Sequence, residues 1–274
     1  MDDFNRYELM MEALAELKPE IDAVYQPSSL QKTQPRHTLP SLGEVLNEFG
    51  PMPLEALFLG VASDGLPVLL NLHDPVPGPI LIAGDAGIGK TAFLQTIASA
   101  AGIMHQPEQV QFGALTSHPD EWSGFENIPN CVGIFPLYHQ SAEDFILSLA
   151  SWAHGNKSSK QSVLLLIDDL EAIAKLDFDA RQNLRWLLLR GPARRVWPII
   201  TINPNRMENA QPWLEAFHTR VFGSIQNIHL ADQMDAENAE LESLNIGAQF
   251  AMREGDHWLR FWIPGTDYEV PHNI

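Results

Sequence analysis

The chain has little positive charge, one cysteine and no long apolar run, and each shortage removes a class of protein. Of its 274 residues 17 are Lys or Arg against 35 Asp and Glu, a formal charge of −18. A field of that sign repels nucleic acid and anionic lipid unless a local patch overrides it. Cys131 stands alone, so no internal disulfide forms. The longest clean aliphatic run, Val163 to Ile167, is too short to cross a bilayer. The opening MDDFNRYE is acidic where a secretory leader would be basic and then apolar, which predicts a cytoplasmic protein without a membrane segment. What remains, 45% hydrophobic and 19% charged residues, is the composition of a globular chain long enough for one large α/β domain with a short appendage, or two small ones.

The few basic residues are unevenly spread: nine fall from Lys157 to Arg206, whereas Lys90 is alone between His37 and Asn156. A cation isolated over so long a stretch marks its surroundings for inspection. Domain organisation is read as 1–40, an arm and linker, and 41–274, the main domain. In the arm, Phe4, Tyr7, Met11, Leu14 and Leu17 share one helical face. That face suits packing on the main domain, or docking to a subunit or protein partner. The stretch from Gln26 to Pro40 has three prolines and reads as a linker. Beyond it, short aliphatic runs alternate with helical stretches, the pattern of a layered α/β fold with a mostly parallel sheet. Strands are expected near 56–61, 68–72, 80–83, 110–115, 163–167, 199–202 and 221–225, helices near 90–101, 142–153, 180–189 and 212–217, and a closing hairpin over 249–263.

The strand Ile80 to Ala83 runs into GDAGIGKT, followed by the helix-forming AFLQTIASAA. This is the phosphate-binding loop pattern in the strand–loop–helix context that supports it. Glycines 84, 87 and 89 permit the backbone angles and close approaches by which main-chain N–H groups turn inward around a polyphosphate. Asp85, Ala86, Ile88 and Ala92 belong to the same cradle, and the helix adds its positive dipole end. Lys90 is the candidate cation for the outer phosphates of ATP and Thr91 the candidate magnesium ligand. A second motif fits the first. SVLLLIDD ends an aliphatic strand with Asp168, a candidate holder of magnesium through water, and Asp169, a candidate base for the attacking water. The alternative is that the aspartates cap the helix that follows. Asn203, ending the strand PIITIN, is either a sensor of the terminal phosphate or a turn residue before Pro204.

In order, these features resemble the FtsK/SpoIIIE branch of the additional-strand P-loop ATPases, with EccC-like domains of type VII secretion closest in pattern. The resemblance spans most of 42–264 and is carried by LGVASDGLPVLLNLHDPVPGPILIAGDAGIGKT, QVQFGALTSHPDEWSGFENIPNCVGIF, RGPARRVWPIITINPNR, FHTRVFGSIQNIHLADQM and GAQFAMREGDHWLRFWIPG. It implies a RecA-like fold, Mg-ATP hydrolysis, a homo-oligomeric ring of about six subunits, and coupling to movement of a macromolecule. It also implies an arginine reaching a neighbour's site; Arg190, before a glycine, matches best, with Arg194, Arg195 and Arg220 as alternatives. Two departures are plain: Asp169 stands where motor members carry Glu, which implies slow turnover, and the charge is unusually negative for a DNA motor. The charge tilts the expected substrate toward protein; a DNA translocase and a nucleotide-dependent switch that barely hydrolyses remain the alternatives. None of the ten histidines forms a metal constellation.

Overall fold

A computed structural model describes residues 39–156 and 159–266. The proposed arm helix and most of the linker lie outside the described residues. A ten-stranded mixed sheet organises the remainder, in the order β2-β1-β10-β9-β8-β3-β7-β6-β4-β5. Its parallel part consists of β8 (Thr219–Phe222), β3 (Ile80–Ala83), β7 (Val196–Ile202), β6 (Ser162–Ile167), β4 (Val110–Thr116) and β5 (Cys131–Pro136). Antiparallel pairing adds β9 (Gln249–Glu254), β10 (His257–Trp262), β1 (Ala56–Ala62) and β2 (Pro67–Asn71).

Every residue of β3, β6 and β7 is buried, as expected of strands covered on both faces. The two-residue period divides them between two cores. Leu81, Ala83, Val163, Leu165 and Ile167 face one core, shared with α3 (Gln140–Gly155) and α4 (Phe178–Arg190). Ile80, Ile82, Leu164 and Leu166 face the other, shared with α1 (Leu42–Phe49) and α2 (Lys90–Met104). Pro198 sits in β7 without interrupting the centre of the sheet because pairing with β3 begins only at Ile199. On the second face, Phe93 of α2 packs against Phe250 and Phe261, with ring centroids 4.7 and 5.8 Å apart. This fixes the helix that carries Lys90 to the β9–β10 hairpin.

The expected strands, the four expected helical regions and the closing hairpin are all present, with ends shifted by a few residues. Several short turns, the helix Ile228–Asp232 and two larger elements were not anticipated. Helix α1 starts at a capping box, in which the Ser41 hydroxyl accepts from the Glu44 N–H and the Glu44 carboxylate accepts from the Ser41 N–H. Strand β5 is a partly exposed edge whose six residues include Gly133 and Pro136, so it carries little strand signal. Among the described residues no helix is long and apolar enough to cross a membrane.

Candidate functional site

Because β3, β6 and β7 run parallel, their carboxyl ends emerge on one edge, and β7 lies between the other two. The loop Gly84 to Gly89 therefore faces both Asp168 and Asn203. Its backbone is held from three sides. The Gly84 N–H donates to Ile202 O, the Asp85 N–H donates to Ser224 O, and Ile88 O accepts from the Gly247 N–H. Ile88 is a wedge: its side chain is buried against Gly84 and Gly223, where an added Cβ would lie 2.7 and 2.2 Å from it. Gly89 adopts φ +92°, and a Cβ there would stand 3.0 Å from Gly247 Cα. A left-handed angle and a close backbone neighbour together require glycine at this position.

Lys90 Nζ donates to Gly84 O and Asp85 O, each at 2.8 Å, so its ammonium is aimed over the loop. Burial lowers its pKa below the ordinary lysine range, opposed by the carboxylates of Asp168, Asp169, Glu171 and Asp85. Opposite it runs a chain of three 2.8 Å hydrogen bonds. The Thr91 hydroxyl donates to Asp168 Oδ2, the Thr201 hydroxyl donates to Asp168 Oδ1, and the Asp169 N–H donates to the Thr201 oxygen. Asp168 is buried, which raises its carboxyl above the usual range, while the two threonine bonds oppose the shift. The capping alternative for the aspartates does not hold. Asp168 is committed to the threonines, and Asp169, at φ 83° before the 3₁₀ turn Leu170–Lys175, makes no side-chain cap bond.

These groups open onto a cleft of about 420 Å³. Ala86, Gly87, Gly89, Lys90, Thr91, Asp168, Asp169 and Asn203 line it, so the sequence-derived candidates from both motifs meet in one place. Gly84 and Asp85 contribute through their carbonyls, while Ala92 lies one turn into α2 and accepts from the Thr96 hydroxyl. The Asn203 oxygen accepts from the Asn205 N–H at 3.1 Å, so this residue lines the cleft and also stabilises the turn after β7.

Arg190 is not part of this cleft. It ends α4, whose chain continues through Pro192–Arg194 to the start of β7, at the sheet edge opposite the phosphate loop. Arg195 donates to Leu72 O and Arg194 to Asn156 O. Arg220 donates to the carbonyls of Phe217, Met234 and Leu214 and to the Asp235 carboxylate.

Four cleft residues escaped the sequence reading: His118, Glu121, Glu171 and Arg206. Glu171 stands out. Its side chain is 8% exposed, and neither carboxylate oxygen accepts a hydrogen bond from another of the described residues. Burial raises its pKa above the usual carboxylate range, its own main-chain N–H opposes this, Asp169 adds to it, and Arg206 and Lys90 oppose it. The available signal was the acidic residue two places after Asp169 in DDLE, on the turn that closes β6. Thr201 was likewise missed, hidden within the apolar run of β7.

Thr91 and Asp168 present a hydroxyl and a carboxylate to an open cleft, a hard-oxygen donor set suited to magnesium, which retains several waters and needs few protein ligands. Among the described residues no group of three or more His, Cys, Asp or Glu is arranged to hold a metal by itself.

A family model described as the NACHT domain matches residues 78–234. No curated protein matches the sequence. Solved structures of similar fold include EssC (ATPases 2 and 3) from Geobacillus thermodenitrificans, 14% identical with a TM-score of 0.64, covering 78% of this chain and 45% of that one. EccC (ATPases 2 and 3) from Thermomonospora curvata, solved with a signal sequence peptide, is 13% identical with a TM-score of 0.66 and coverages of 84% and 44%. The conjugation coupling protein TcpA of pCW3, in monomer form with ATPγS, is 13% identical with a TM-score of 0.59 and coverages of 83% and 69%. The chain thus spans less than half the length of the EssC and EccC chains, and at these identities the likeness is one of fold. It meets the EccC-type resemblance read from the sequence. The NACHT match covers β3 through β8 and leaves out β1, β2, β9 and β10.

Proposed function

Since the chain belongs to the NACHT-domain family and has the fold of a P-loop NTPase, we propose that it binds and hydrolyses ATP in the cleft between Lys90 and Asp168. The observation that carries this reading is the chain Thr91–Asp168–Thr201–Asp169 N–H placed across from Lys90, with a second buried carboxylate, Glu171, in the same cleft. Main-chain N–H groups from Gly84 to Thr91 and the amino end of α2 receive the phosphates, and Lys90 neutralises the outer ones. Thr91 and Asp168 would hold magnesium, which when bound supplies positive charge to the phosphate oxygens.

A water oxygen attacks the terminal phosphorus, the bond from that phosphorus to the bridging oxygen breaks with its electron pair leaving on ADP, and the water proton passes to a carboxylate. Asp169 and Glu171 both line the cleft. We assign the proton to Glu171, whose side chain is buried in the cleft, whose oxygens accept no hydrogen bond from another described residue and whose pKa burial raises. Asp169, the base expected from the sequence, is the control. Glu171→Gln should cut turnover about a hundredfold or more while nucleotide affinity persists; collapse only on Asp169→Asn would return the role to Asp169. Lys90→Ala should remove ATP binding itself, and retained affinity there would overturn the whole reading.

What the hydrolysis moves or assembles rests on less. The charge of −18 favours a polypeptide over DNA, and the Phe4–Leu17 segment is the proposed contact with a protein partner. We further propose a homo-oligomeric ring in which Arg190, exposed at the far edge of the sheet, reaches a neighbour's nucleotide. Arg190→Ala should then abolish turnover and spare affinity. Stimulation of turnover by duplex DNA, fading steeply with salt, would favour the DNA motor instead.

A further inference from the structure

Glu121 stands on the wall of the cleft that β4 supplies, and its main chain is tied on both sides. The Asp168 N–H donates to Leu115 O at 2.8 Å, so the carboxyl end of β4 carries that aspartate directly. One residue on, the Thr116 hydroxyl accepts from the His118 N–H at 3.0 Å, just ahead of the turn Pro119–Trp122. Within the turn the Glu121 N–H donates to His118 O at 3.1 Å, and Glu121 O accepts from Gln95 Nε2 at 2.7 Å. Gln95 is buried on α2, the helix that carries Lys90 and Thr91. Trp122 closes the turn, fully buried, with its ring edge-on to Phe125 at 5.3 Å. The backbone of Glu121 is thereby joined both to the helix that presents Thr91 and to the strand that supports Asp168.

Its side chain works against its neighbours until a cation arrives. Glu121 lines the cleft together with Asp168, Asp169 and Glu171. Burial raises the pKa of Asp168, the two threonine bonds oppose the shift, and the charges of Asp169 and Glu121 add to it. The lysine and arginine of the cleft are engaged elsewhere: Lys90 Nζ donates to Gly84 O and Asp85 O, and Arg206 is ion-paired with Glu171 at 4.0 Å. Repulsion between Glu121 and Asp168 is therefore left for a positively charged ligand to relieve. Thr91 and Asp168 offer the hydroxyl and carboxylate suited to magnesium, an ion that gives up its waters reluctantly. The protons of those waters point outward and need acceptors, and an ionised carboxylate accepts strongly. Acceptors placed in this way orient a bound ion and raise the affinity for it.

We propose that Glu121 accepts hydrogen bonds from the waters that magnesium retains beside Thr91 and Asp168, which makes it a positioning residue for that ion and not one of its ligands. The inference rests on the nucleotide reading above, and the test separates the two. Calorimetric titration of the full chain with AMPPNP is made at a series of free magnesium concentrations and in EDTA, for the wild type, Glu121→Gln and Asp120→Asn. Glu121→Gln should need about tenfold more magnesium for the half-maximal gain in AMPPNP affinity. In EDTA the same variant should bind AMPPNP at least as tightly as the wild type, because a negative charge has left the cleft. Asp120→Asn makes the same change of charge one residue away, at an exposed position outside the cleft, and should stay within about twofold of the wild type in both conditions. An unshifted magnesium requirement in Glu121→Gln, an equal shift in Asp120→Asn, or equal weakening with and without magnesium would each overturn the assignment. If the wild type binds AMPPNP neither with magnesium nor in EDTA, the nucleotide reading itself falls and takes the assignment with it.

Discussion

Thr201 gives the sharpest test of how the site is built, because its hydroxyl has no solvent and serves two partners. It is 0% exposed, donates to Asp168 Oδ1 and accepts from the Asp169 N–H, both at 2.8 Å. Thr201→Val keeps the branched shape and puts a methyl in place of the hydroxyl, so no cavity forms and both hydrogen bonds are lost. The change strands a main-chain N–H and leaves one oxygen of a buried carboxylate unpaired. Each costs roughly 1–3 kcal/mol, and since both depend on the same hydroxyl we expect a combined loss of about 2–4 kcal/mol. That is a large part of the roughly 5–15 kcal/mol by which a domain is stable. Urea unfolding should show a lower midpoint at unchanged slope. Turnover should also fall, because Asp168 keeps only the Thr91 hydroxyl to orient it. Thr201→Ser, which restores the hydroxyl, should recover most of both losses. A Thr201→Val protein within about 0.5 kcal/mol of the wild type and equally active would refute the hydrogen-bond chain as the organising element of the site.

Other perturbations separate backbone from side-chain effects. Gly89→Ala should lose about 1–2 kcal/mol from the left-handed angle and, by displacing Gly247, weaken nucleotide binding. Gly255→Ala, with φ +59° and no atom within 4 Å of the new Cβ, should pay the strain alone and bind nucleotide normally, as titration calorimetry of the two variants would report. His105 supplies a pH test. It is buried, its Nε2 lies 2.9 Å from Ala56 O and its Nδ1 has no partner, so the neutral ring donates from Nε2. Burial lowers its pKa, opposed by the Ala56 carbonyl. With the folded value below the unfolded value of about 6.5, its stabilising contribution is complete above that pH and is lost as pH falls through the folded pKa. Urea midpoints between about pH 7.5 and 5 should therefore fall less steeply in His105→Gln than in the wild type; identical slopes would dismiss the histidine as the cause.

The parts of this fold that announce themselves in the sequence are those whose signal is local. Val163 to Ile167 reads as a buried strand because every residue is aliphatic, and Gly84 to Thr91 reads as a phosphate cradle because glycines, lysine and threonine fall at fixed intervals. Strand β5 does not, since a partly exposed edge needs neither continuous apolar residues nor strict alternation. Helix α1 was legible in Ser41 and Glu44, a capping signature masked by the neighbouring proline-rich stretch. Glu171 and Arg206 were obscure for another reason. Their significance lies in the cleft they share, where the two side chains stand 4.0 Å apart, a juxtaposition that exists only once the chain is folded. Asp169 drew attention by adjacency to Asp168, yet adjacency along a chain that turns through φ 83° says little about which carboxylate comes to lie buried.

Strand order explains why the site needs residues so distant in sequence. With β7 inserted between β3 and β6, Thr201 is the residue placed to hold Asp168 on one side while the Gly84 N–H rests on Ile202 O on the other. Were β6 to pair directly with β3, the Thr91–Asp168 bond could still form, but no hydroxyl from a middle strand would orient the second oxygen. Asp85 carries the connection outward, its two oxygens bonded to the turn after β7 and to the segment after β8. A ligand that shifts the phosphate loop therefore acts at once on the carboxyl ends of β3, β7, β6 and β8. Asp85→Ala cuts both ties at once and should weaken binding of Mg-AMPPNP and Mg-ADP alike, as calorimetric titration would report. Unaltered affinity for both ligands in that variant would show that the phosphate loop keeps its place without these ties.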